Sequence, residues 1–438
     1  MNGGMRSRRR GLNVLIWAAP FSAAAMLVPL ALRADEPAGA SPSATQVAAL
    51  NRPAPADGSA DANAADKAVA VATGLIKQLG DDRFVVREEA SARLSQMGIE
   101  IQPALEAAAH APDLEVRIRV RRILDTVLKA DLERRLMAFA DDVNDTKHLT
   151  LPGWSRYRQL IGSNGPARQV FVEMQRAEPN LFRAVEDGPN PTASALENAV
   201  VDSILRAQNR SRIVGGNMLS LGSVSAMIFV GSDSQVTIPE NIAQQLAYLL
   251  NQPSIRQAAT GGNQSTVVRK IIGVWITRDA SANVLVQNLS IAMQLELKEG
   301  VQAAANALKQ GNQPGYVKQM ALTMIGRMGD KTNLPVVEAL LSDNEICGQI
   351  NMNNQLFQTQ VRDVALAIAI HLEGQNPKDF GYDRLDLTNA GLYYNPGLFG
   401  FKNAADRDAA TKKWADWTAK HKSKTDGKTD ASTTPKKS

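Results

Sequence analysis

The stretch DRFVVREEASARLSQMG, residues 82–98, decides the fold. Its apolar residues Val86, Ala90, Leu94 and Met97 follow one another at intervals of four, four and three, so they share one face of a helix. Polar and charged residues occupy the rest of that helix. A helix of this length with one narrow apolar face is not stable alone in water. The stretch therefore predicts a helix that stacks against neighbouring helices.

Both ends of this predicted helix carry residues that suit helix caps. The carboxylate of Asp82 can accept hydrogen bonds from the free N–H groups of the first turn, so we expect Asp82 to be the N-cap. Gly98 suits the left-handed conformation that often ends a helix. The sequence thus predicts the bounds of the helix as well as its buried face.

The Val-Arg pair inside this helix recurs along the chain. Val86-Arg87 is followed 30 residues later by Val116-Arg117, an interval typical of helical repeats. Three further copies, separated by 49 and then 44 residues, are Val268-Arg269, Val317-Lys318 and Val361-Arg362. The uneven spacing indicates divergent repeats with insertions, and we expect one insertion to be an Asn-rich loop near Gly348 to Gln355.

The pattern Asp-x-x-x-Val-Arg-x-x-Ala-x-x-x-Leu-x-x-Met-Gly is similar to one helix of a HEAT repeat. The resemblance implies an all-α fold, a HEAT- or armadillo-like α-solenoid of irregular repeats flanked by disordered termini. It also implies that the Asp and basic residues of the motif tie successive repeats together in a ladder. The residues at these positions are Asp82, Arg87, Asp113, Arg117, Arg269, Lys318 and Arg362.

Composition supports helix-on-helix packing and argues against a nucleic-acid partner. Of the 438 residues, 44% are apolar and only 5% aromatic, which favours close-packed helices over sheets. The formal net charge is +5, but both termini are basic. Residues 35–401 alone carry 34 basic and 39 acidic residues. A folded nucleic-acid binder carries its positive field on the folded part, so this class of partner is disfavoured.

The N-terminal segment, residues 1–34, has the pattern of an export signal. Four arginines between Arg6 and Arg10 precede an uncharged run from Leu12 to Leu32, which is typical of a signal peptide. The run is also long enough to cross a bilayer, so an uncleaved anchor is the alternative. Ser7 to Leu12 resembles a twin-arginine export motif, and the general secretory route stays open beside it. We expect a periplasmic or envelope location.

The rest of the chain divides by composition. We expect an Ala/Pro/Ser-rich linker at 35–66, N-terminal HEAT repeats at 67–140, irregular HEAT-like repeats at 141–401, a capping helix at 402–421 and a disordered basic tail at 422–438. The uncharged run between Arg212 and Asp233 is rich in Gly and Ser, so it predicts a buried helix from about 217 to 230 rather than a membrane span.

The segment from Leu151 to Gly162 departs from the repeat pattern. It concentrates aromatic and basic residues in a chain that has few aromatics. Two interpretations are open: these residues bind a partner, or they seal the junction between the first repeats and the rest. The residues concerned are Trp154, Arg156, Tyr157 and Arg158.

No motif of known catalytic or metal-binding chemistry is present in the sequence. The single cysteine, Cys347, excludes an intramolecular disulfide, and the four histidines are scattered. We therefore expect no catalytic, cofactor or metal residues. With its export segment and Pro-Gly-Trp stretch, the chain resembles a family of exported bacterial HEAT-repeat proteins, a resemblance that implies no particular activity.

Two functions remain after this search. The first is a scaffold that binds a protein or peptide, or an envelope polymer, in the groove of a solenoid; it touches a membrane only through the N-terminal segment. The second is a carbohydrate-active hydrolase or lyase of the envelope, with a carboxylate pair in a helical groove. The oligomeric state is left open. Within the scaffold interpretation we expect function in the departures from the repeat: the Pro-Gly-Trp stretch, the loop near Cys347 and the aromatic C-terminal end.

Overall fold

The computed structural model describes residues 60–210, 219–385 and 395–426. The predicted export segment, most of the predicted linker and the end of the predicted tail lie outside these ranges. The unit that begins at Ala65 contains both hydrophobic cores.

The described residues form eighteen α-helices and one two-stranded sheet. In chain order they are α1 Ala60–Gln78, α2 Phe84–Gln96, α3 Gln102–Ala108, α4 Leu114–Asp141, α5 Trp154–Leu160, α6 Gly165–Ala177, α7 Pro179–Asp187, α8 Pro189–Arg210, α9 Leu221–Gly231, α10 Glu240–Leu250, α11 Pro253–Thr260, α12 Ser265–Ile276, α13 Ala282–Leu295, α14 Glu299–Gln310, α15 Gly315–Met328, α16 Leu334–Glu338, β1 Ile346–Met352, β2 Gln355–Gln360, α17 Val361–Leu372 and α18 Ala404–Asp426. The mainly helical fold class predicted from the sequence is confirmed.

The first core lies among α1 to α4. The apolar face predicted for α2 contributes Ala90 and Leu94, both fully buried. The residues 30 positions later on α4 are Val120 and Leu124; Val120 is fully buried and Leu124 packs against this core. Equivalent positions of successive helices thus fill one small core.

Helix α4 links the first core to the second. Its 28 residues extend about 42 Å at 1.5 Å per residue. Val116 and Val127, in its first half, pack in the first core, whereas Leu136 and Phe139 pack in the second. The second core is much larger and reaches Trp414 in α18.

Helices of the second core pack in chain order. Contacts run from α4 to α6, from α6 to α9, from α9 to α12, then through α13 and α14 to α15, and from α15 to α17. Helix α9 is the most enclosed. Every residue from Gly222 to Gly231 is buried, because the helix lies between α6 and α12 and is also contacted by α8 and α10. The buried helix predicted from 217 to 230 is present, with its start at Leu221.

A β-hairpin occupies the position predicted to be an Asn-rich loop, so that prediction is wrong. Strands β1 and β2 are antiparallel and are joined by Asn353 and Asn354. Both asparagines have positive φ, 52° and 60°, which is the backbone of a type I′ turn and a conformation that asparagine tolerates. Two adjacent asparagines between Ile, Phe and Thr residues were therefore a hairpin signal in the sequence.

Two of the segment boundaries predicted from the sequence differ from those in the structure. Helix α1 begins at Ala60, within the predicted linker, and α18 continues to Asp426, within the predicted tail. Alanine is the best helix former, so the Ala-rich composition of residues 60–66 is compatible with a helix as well as with a flexible linker.

Candidate partner-binding site

Arg87 and Arg117 make the same contacts one repeat apart. Nη1 of Arg87 donates to the carbonyl oxygens six and five residues earlier, at 2.8 and 3.1 Å. Nη1 of Arg117 donates to the two equivalent oxygens, both at 2.9 Å. Each arginine therefore ties the loop before its helix to the helix itself. The 30-residue interval read from the sequence corresponds to a repeated hydrogen-bonding unit.

Ion pairs connect α2 to α4. Nε of Arg87 lies 3.1 Å from Oε1 of Glu115, close enough for an ion pair but not aligned as a hydrogen bond. Arg119 donates to Glu115 at 3.0 Å and to Glu88 at 2.8 Å. The hydrogen bond that Arg119 donates to Glu88, more than the one it donates to Glu115, raises the pKa of Arg119. Partly exposed ion pairs of this kind contribute only about 0.2–1 kcal/mol each to stability. Their main effect is to fix the orientation of α2 relative to α4.

Asp82 and Asp113 differ, although both occupy the predicted cap position. Oδ1 of Asp113 accepts from the backbone N–H groups of Glu115 and Val116 at 2.7 and 3.1 Å, so Asp113 is the N-cap of α4. The N-cap of α2 is Arg83 and has no side-chain capping bond. The prediction that Asp82 caps α2 is therefore wrong, because α2 begins one residue later than the helix read from the sequence.

Exposed apolar side chains lie at the start of both helices, α2 and α4. Phe84 and Leu114, one repeat apart, are 62% and 61% exposed, Val85 is 63% exposed, and Ile118 is 51% exposed. We call these four residues the repeat surface. Leu114 and Ile118 are four residues apart and share a face of α4, next to the strip that carries the ion pairs to α2. The guanidinium of Arg87 lies 5.8 Å from the centre of the Phe84 ring.

The later basic residues of the motif make different contacts. Arg269 donates to the backbone oxygen of Glu296 at 3.3 Å, at the end of α13. Nζ of Lys318 lies 2.7 Å from Asp343 and 3.0 Å from Glu345, and the hydrogen bond that it donates to Asp343 is the largest cause of the raised pKa of Lys318. These side chains connect their helices to the segments that follow them.

The last copy of the motif makes a local contact. Nε of Arg362 donates to the side-chain oxygen of Gln360 at 2.7 Å, two residues earlier. Its backbone N–H donates to the carbonyl oxygen of Asp343 at 2.8 Å. The side chain of Arg362 thus supports the junction between β2 and α17.

The aromatic residues of the Pro-Gly-Trp stretch are in the core. Trp154 is 3% exposed and Tyr157 is fully buried. Their rings pack with Phe171, at centroid distances of 5.1 and 4.7 Å. The Tyr157 hydroxyl donates to the carbonyl oxygen of Ala167 at 3.0 Å, and burial raises its pKa. A partner-binding role for Trp154 and Tyr157 does not fit this arrangement, because neither ring presents a surface.

The two arginines of the same stretch are paired. Arg156 donates to the carbonyl oxygen of Phe229 and to the hydroxyl of Ser232, both at 2.9 Å. It therefore binds the C-terminal end of α9, where a positive charge is favourable. Arg158 is 54% exposed and lies 3.2 Å from Asp145. Of the four residues predicted to bind a partner, Arg158 is the most exposed, and it is already in an ion pair; the Arg156 side chain is 28% exposed and also lies 3.4 Å from Asp233.

Sequence reasoning missed a buried arginine in this junction. Arg168 is 1% exposed, and its guanidinium lies 4.6 Å and 5.0 Å from the ring centres of Phe139 and Trp154. It donates to the carbonyl oxygen of Phe139 and to Asp145, both at 3.2 Å. The only sequence signal for it was an arginine on the otherwise apolar face of α6.

A second missed arginine also lies at the C-terminal end of α9. Arg278 donates to the carbonyl oxygens of Gly231 and Val236 at 2.9 and 2.8 Å, so Arg278 and Arg156 both hold the loop after α9. Burial lowers the pKa of both. A cavity of about 160 Å³ adjoins Arg278 and is also lined by Glu240 and Asp279.

The buried acidic residues have partners. Asp363 is 1% exposed and receives two hydrogen bonds from Arg407, at 2.6 and 3.0 Å. Asp142 is 4% exposed and accepts from the backbone N–H groups of Thr146 and Lys147 at 2.7 and 2.9 Å. Among the described residues these are the buried acids, and neither is free to act as a general acid or base.

Cys347 does not have the environment of a nucleophile. Burial raises the pKa of its thiol to about 12, whereas a reactive cysteine has a lowered pKa. In the described parts of the chain no group of three or more His, Cys, Asp and Glu side chains is placed to hold a metal ion.

No protein-family model, curated protein or solved structure matches the chain. Across residues 60–210, 219–385 and 395–426, no helix combines the length and the apolar character needed to span a membrane.

Proposed function

We propose that the chain is an α-solenoid of divergent HEAT-like repeats, exported to the cell envelope, that binds a protein partner through the repeat surface. One observation carries this proposal. Phe84 and Leu114 occupy equivalent positions of successive repeats and are both more than 60% exposed. Side chains of this size gain about 1.5–3 kcal/mol each when they are removed from water. In the folded chain these side chains remain largely in water, so most of this free energy would be gained only when a partner covers them.

The repeated contacts beneath the surface support a HEAT-like unit. Arg87 and Arg117 hold equivalent loops, and α2 and α4 are joined by the ion pairs Arg87–Glu115 and Arg119–Glu88. The repeat surface is therefore held on a fixed framework. A partner that contacts it needs little ordering of the solenoid, which favours binding.

Sequence patterns support three parts of this proposal: the export segment, the envelope location and the resemblance to exported HEAT-repeat proteins. Arg6 to Arg10, the uncharged run from Leu12 to Leu32, and the Val-Arg repeats are their support. Fractionation of cells that make the full chain tests the location. A chain recovered from the cytoplasm with its first residues intact contradicts export.

Chemical cross-linking of the full chain in envelope extracts of the host, followed by mass spectrometry, tests the binding proposal. The test variant carries Phe84→Ser and Leu114→Ser. The matched control carries Met137→Ser and Tyr248→Ser, which replace residues 56% and 57% exposed. We expect the parent and the control to be cross-linked to the same partner and the test variant to lose at least nine-tenths of that product. Equal cross-linking of both variants, or no partner for the parent, contradicts the proposal.

The second candidate is a hydrolase or lyase acting on envelope carbohydrate. The observation in its favour is the cavity lined by Glu240 and Asp279, since glycosidases use two carboxylates across one cleft. Oε1 of Glu240 already accepts from Ser281 at 2.5 Å and Gln244 at 2.8 Å, which makes it the weaker proposal. Release of reducing sugar from purified envelope polysaccharide by the parent, lost in Glu240→Gln and in Asp279→Asn, would establish it.

A further inference from the structure

The cavity beside Arg278 is lined by a buried amide that has an unused donor. Asn288 belongs to this lining and is 1% exposed. Its Oδ1 accepts a hydrogen bond from Nε1 of Trp275 at 2.9 Å. An indole nitrogen can only donate, so this bond fixes which end of the amide faces Trp275. Nδ2 of Asn288 is buried and has no hydrogen-bond partner among the described residues.

A buried polar atom without a partner is uncommon in folded proteins and needs an explanation. Trp275, the neighbour of Asn288 in the lining, is also 1% exposed, so these two side chains form the inner end of the cavity. A ligand with an oxygen acceptor would complete the hydrogen bonds of Asn288. The inner end of the cavity therefore suits a carbonyl or hydroxyl oxygen.

The outer part of the cavity is acidic. Glu240 and Asp279 line it and are both exposed. Arg278 is the only cation among the ten lining residues, and its guanidinium already donates to the backbone oxygens of Gly231 and Val236 at 2.9 and 2.8 Å. The lining thus carries two carboxylates and one guanidinium. This balance favours a ligand with a single positive charge.

Both carboxylates have oxygens available for such a charge. Glu240 receives its hydrogen bonds from Ser281 and Gln244 on Oε1, which leaves Oε2. Asp279 makes no hydrogen bond or ion pair with another described residue. An ammonium group has three N–H donors, and hydrogen bonds between charged partners are the stronger ones. A primary ammonium group therefore fits the outer part of the cavity.

The volume of the cavity limits the size of the ligand. It is about 160 Å³, whereas sites for drug-sized ligands occupy about 300–1,000 Å³. A water molecule takes about 30 Å³ in the liquid, so the cavity holds a molecule of roughly five to seven non-hydrogen atoms. Ile238, Ala243 and Val284 supply apolar contacts for its carbon atoms.

We propose that this cavity binds a small primary ammonium compound that also carries a carbonyl or hydroxyl oxygen. The ammonium group contacts Glu240 and Asp279, and the oxygen accepts a hydrogen bond from Nδ2 of Asn288. The carbon atoms between these two groups pack on the apolar lining. Binding involves no chemical step and is independent of the repeat surface.

Three matched ligands test the proposal by isothermal titration calorimetry with the full chain. Alaninamide has both groups, lactamide has a hydroxyl in place of the ammonium, and propylamine keeps the ammonium but lacks the carbonyl. The titrations are made below about pH 7, where an α-amino group is protonated. The indole N–H resonance of Trp275, identified by its loss in Trp275→Phe, reports whether a ligand occupies this cavity.

Alaninamide should bind with a Kd below about 1 mM and shift the Trp275 resonance. Lactamide and propylamine should each bind at least about tenfold more weakly, because each lacks one of the two polar groups. Glu240→Gln and Asp279→Asn should each weaken alaninamide binding at least about threefold. Glu296→Gln is the matched control, because it neutralises an exposed carboxylate outside the cavity, and it should leave the affinity unchanged.

A parent that does not bind alaninamide overturns the proposal, and so does binding that leaves the Trp275 resonance in place. Equal affinities for the three ligands would show that neither polar group is recognised. An unchanged affinity in both carboxylate variants would contradict the acidic site. The comparison of ligands uses the parent chain alone, so it decides the proposal even if a variant fails to fold.

Discussion

Arg407 should hold α18 on the rest of the molecule through its buried ion pair with Asp363. The carboxylate is 1% exposed and receives two hydrogen bonds from the guanidinium, plus one from the backbone of Gln360 at 2.8 Å. Arg407→Met removes two of these three bonds and leaves a buried negative charge without a counter-ion. Breaking one side of such a pair costs about 3–5 kcal/mol. If this loss of free energy weakens the packing of α18 against the rest of the molecule, amide exchange in that helix should accelerate roughly 10²- to 10⁴-fold.

Hydrogen exchange followed by mass spectrometry of peptides from residues 404–420 measures this effect. Lys412→Met is the control, because it removes an exposed charge from the same helix and should change exchange little. The double variant Asp363→Leu with Arg407→Met removes both charges and should recover much of the loss, since replacing a whole buried pair by apolar residues is often close to neutral. The reasoning is refuted if Arg407→Met changes exchange less than about tenfold, or if the double variant exchanges faster than the single one.

Three further predictions follow from contacts elsewhere. Arg87→Met and Arg117→Met should each lower the free energy of unfolding by about 1–3 kcal/mol in urea denaturation, because each removes the same two hydrogen bonds to backbone carbonyl oxygens, and Arg87→Met should lose about 0.2–1 kcal/mol more because Arg87 also pairs with Glu115; a loss confined to one of them contradicts the repeated unit. Gly222→Ala should destabilise by about 1–3 kcal/mol, since its Cβ would lie 2.5 Å from the carbonyl oxygen of Glu173, whereas Gly74→Ala meets nothing within 4 Å and should stabilise by about 0.5–1 kcal/mol. Burial raises the pKa of the Cys347 thiol to about 12, from an ordinary cysteine value of about 8.5, so its contribution to stability is complete below about pH 8.5 and is lost as the pH rises towards 12; between about pH 9 and 11 the parent should lose more stability than Cys347→Ala.

The repeat was predictable from sequence because its signals are local. Helix periodicity, the Val-Arg pair and the 30-residue interval depend only on residues within two turns of a helix or one repeat. The contacts of Arg87 and Arg117 are local in the same way, since each arginine bonds to carbonyl oxygens five and six residues earlier. The predicted N-cap of α2 was wrong by one residue, which is a usual difference at helix ends.

The residues that join distant elements were not predictable. Arg407 and Asp363 are 44 residues apart in the chain, and Arg156 meets the end of α9 73 residues away. Nothing in a single sequence indicates which helix end an arginine reaches. The hairpin was missed for a different reason: Gln and Asn dilute the alternation that identifies a strand.

From the sequence we expected the segments that depart from the repeat to bind a partner and the repeat itself to be structural. The exposure of their side chains is the reverse of that expectation. Three aromatic residues of the departures lie in the core: Trp154 is 3% exposed, Phe399 is fully buried and Trp414 is 4% exposed. By contrast, Phe84 and Leu114 lie in the regular repeat and remain exposed. Burying an aromatic ring stabilises the fold, so truncating Trp154 should cost about 3–5 kcal/mol and reduce binding only through unfolding. Polar replacement of Phe84 and Leu114 should leave the free energy of unfolding within about 0.5 kcal/mol and still abolish cross-linking to the partner. A variant of the repeat surface that loses stability and binding together would place these side chains in the fold rather than in an interface.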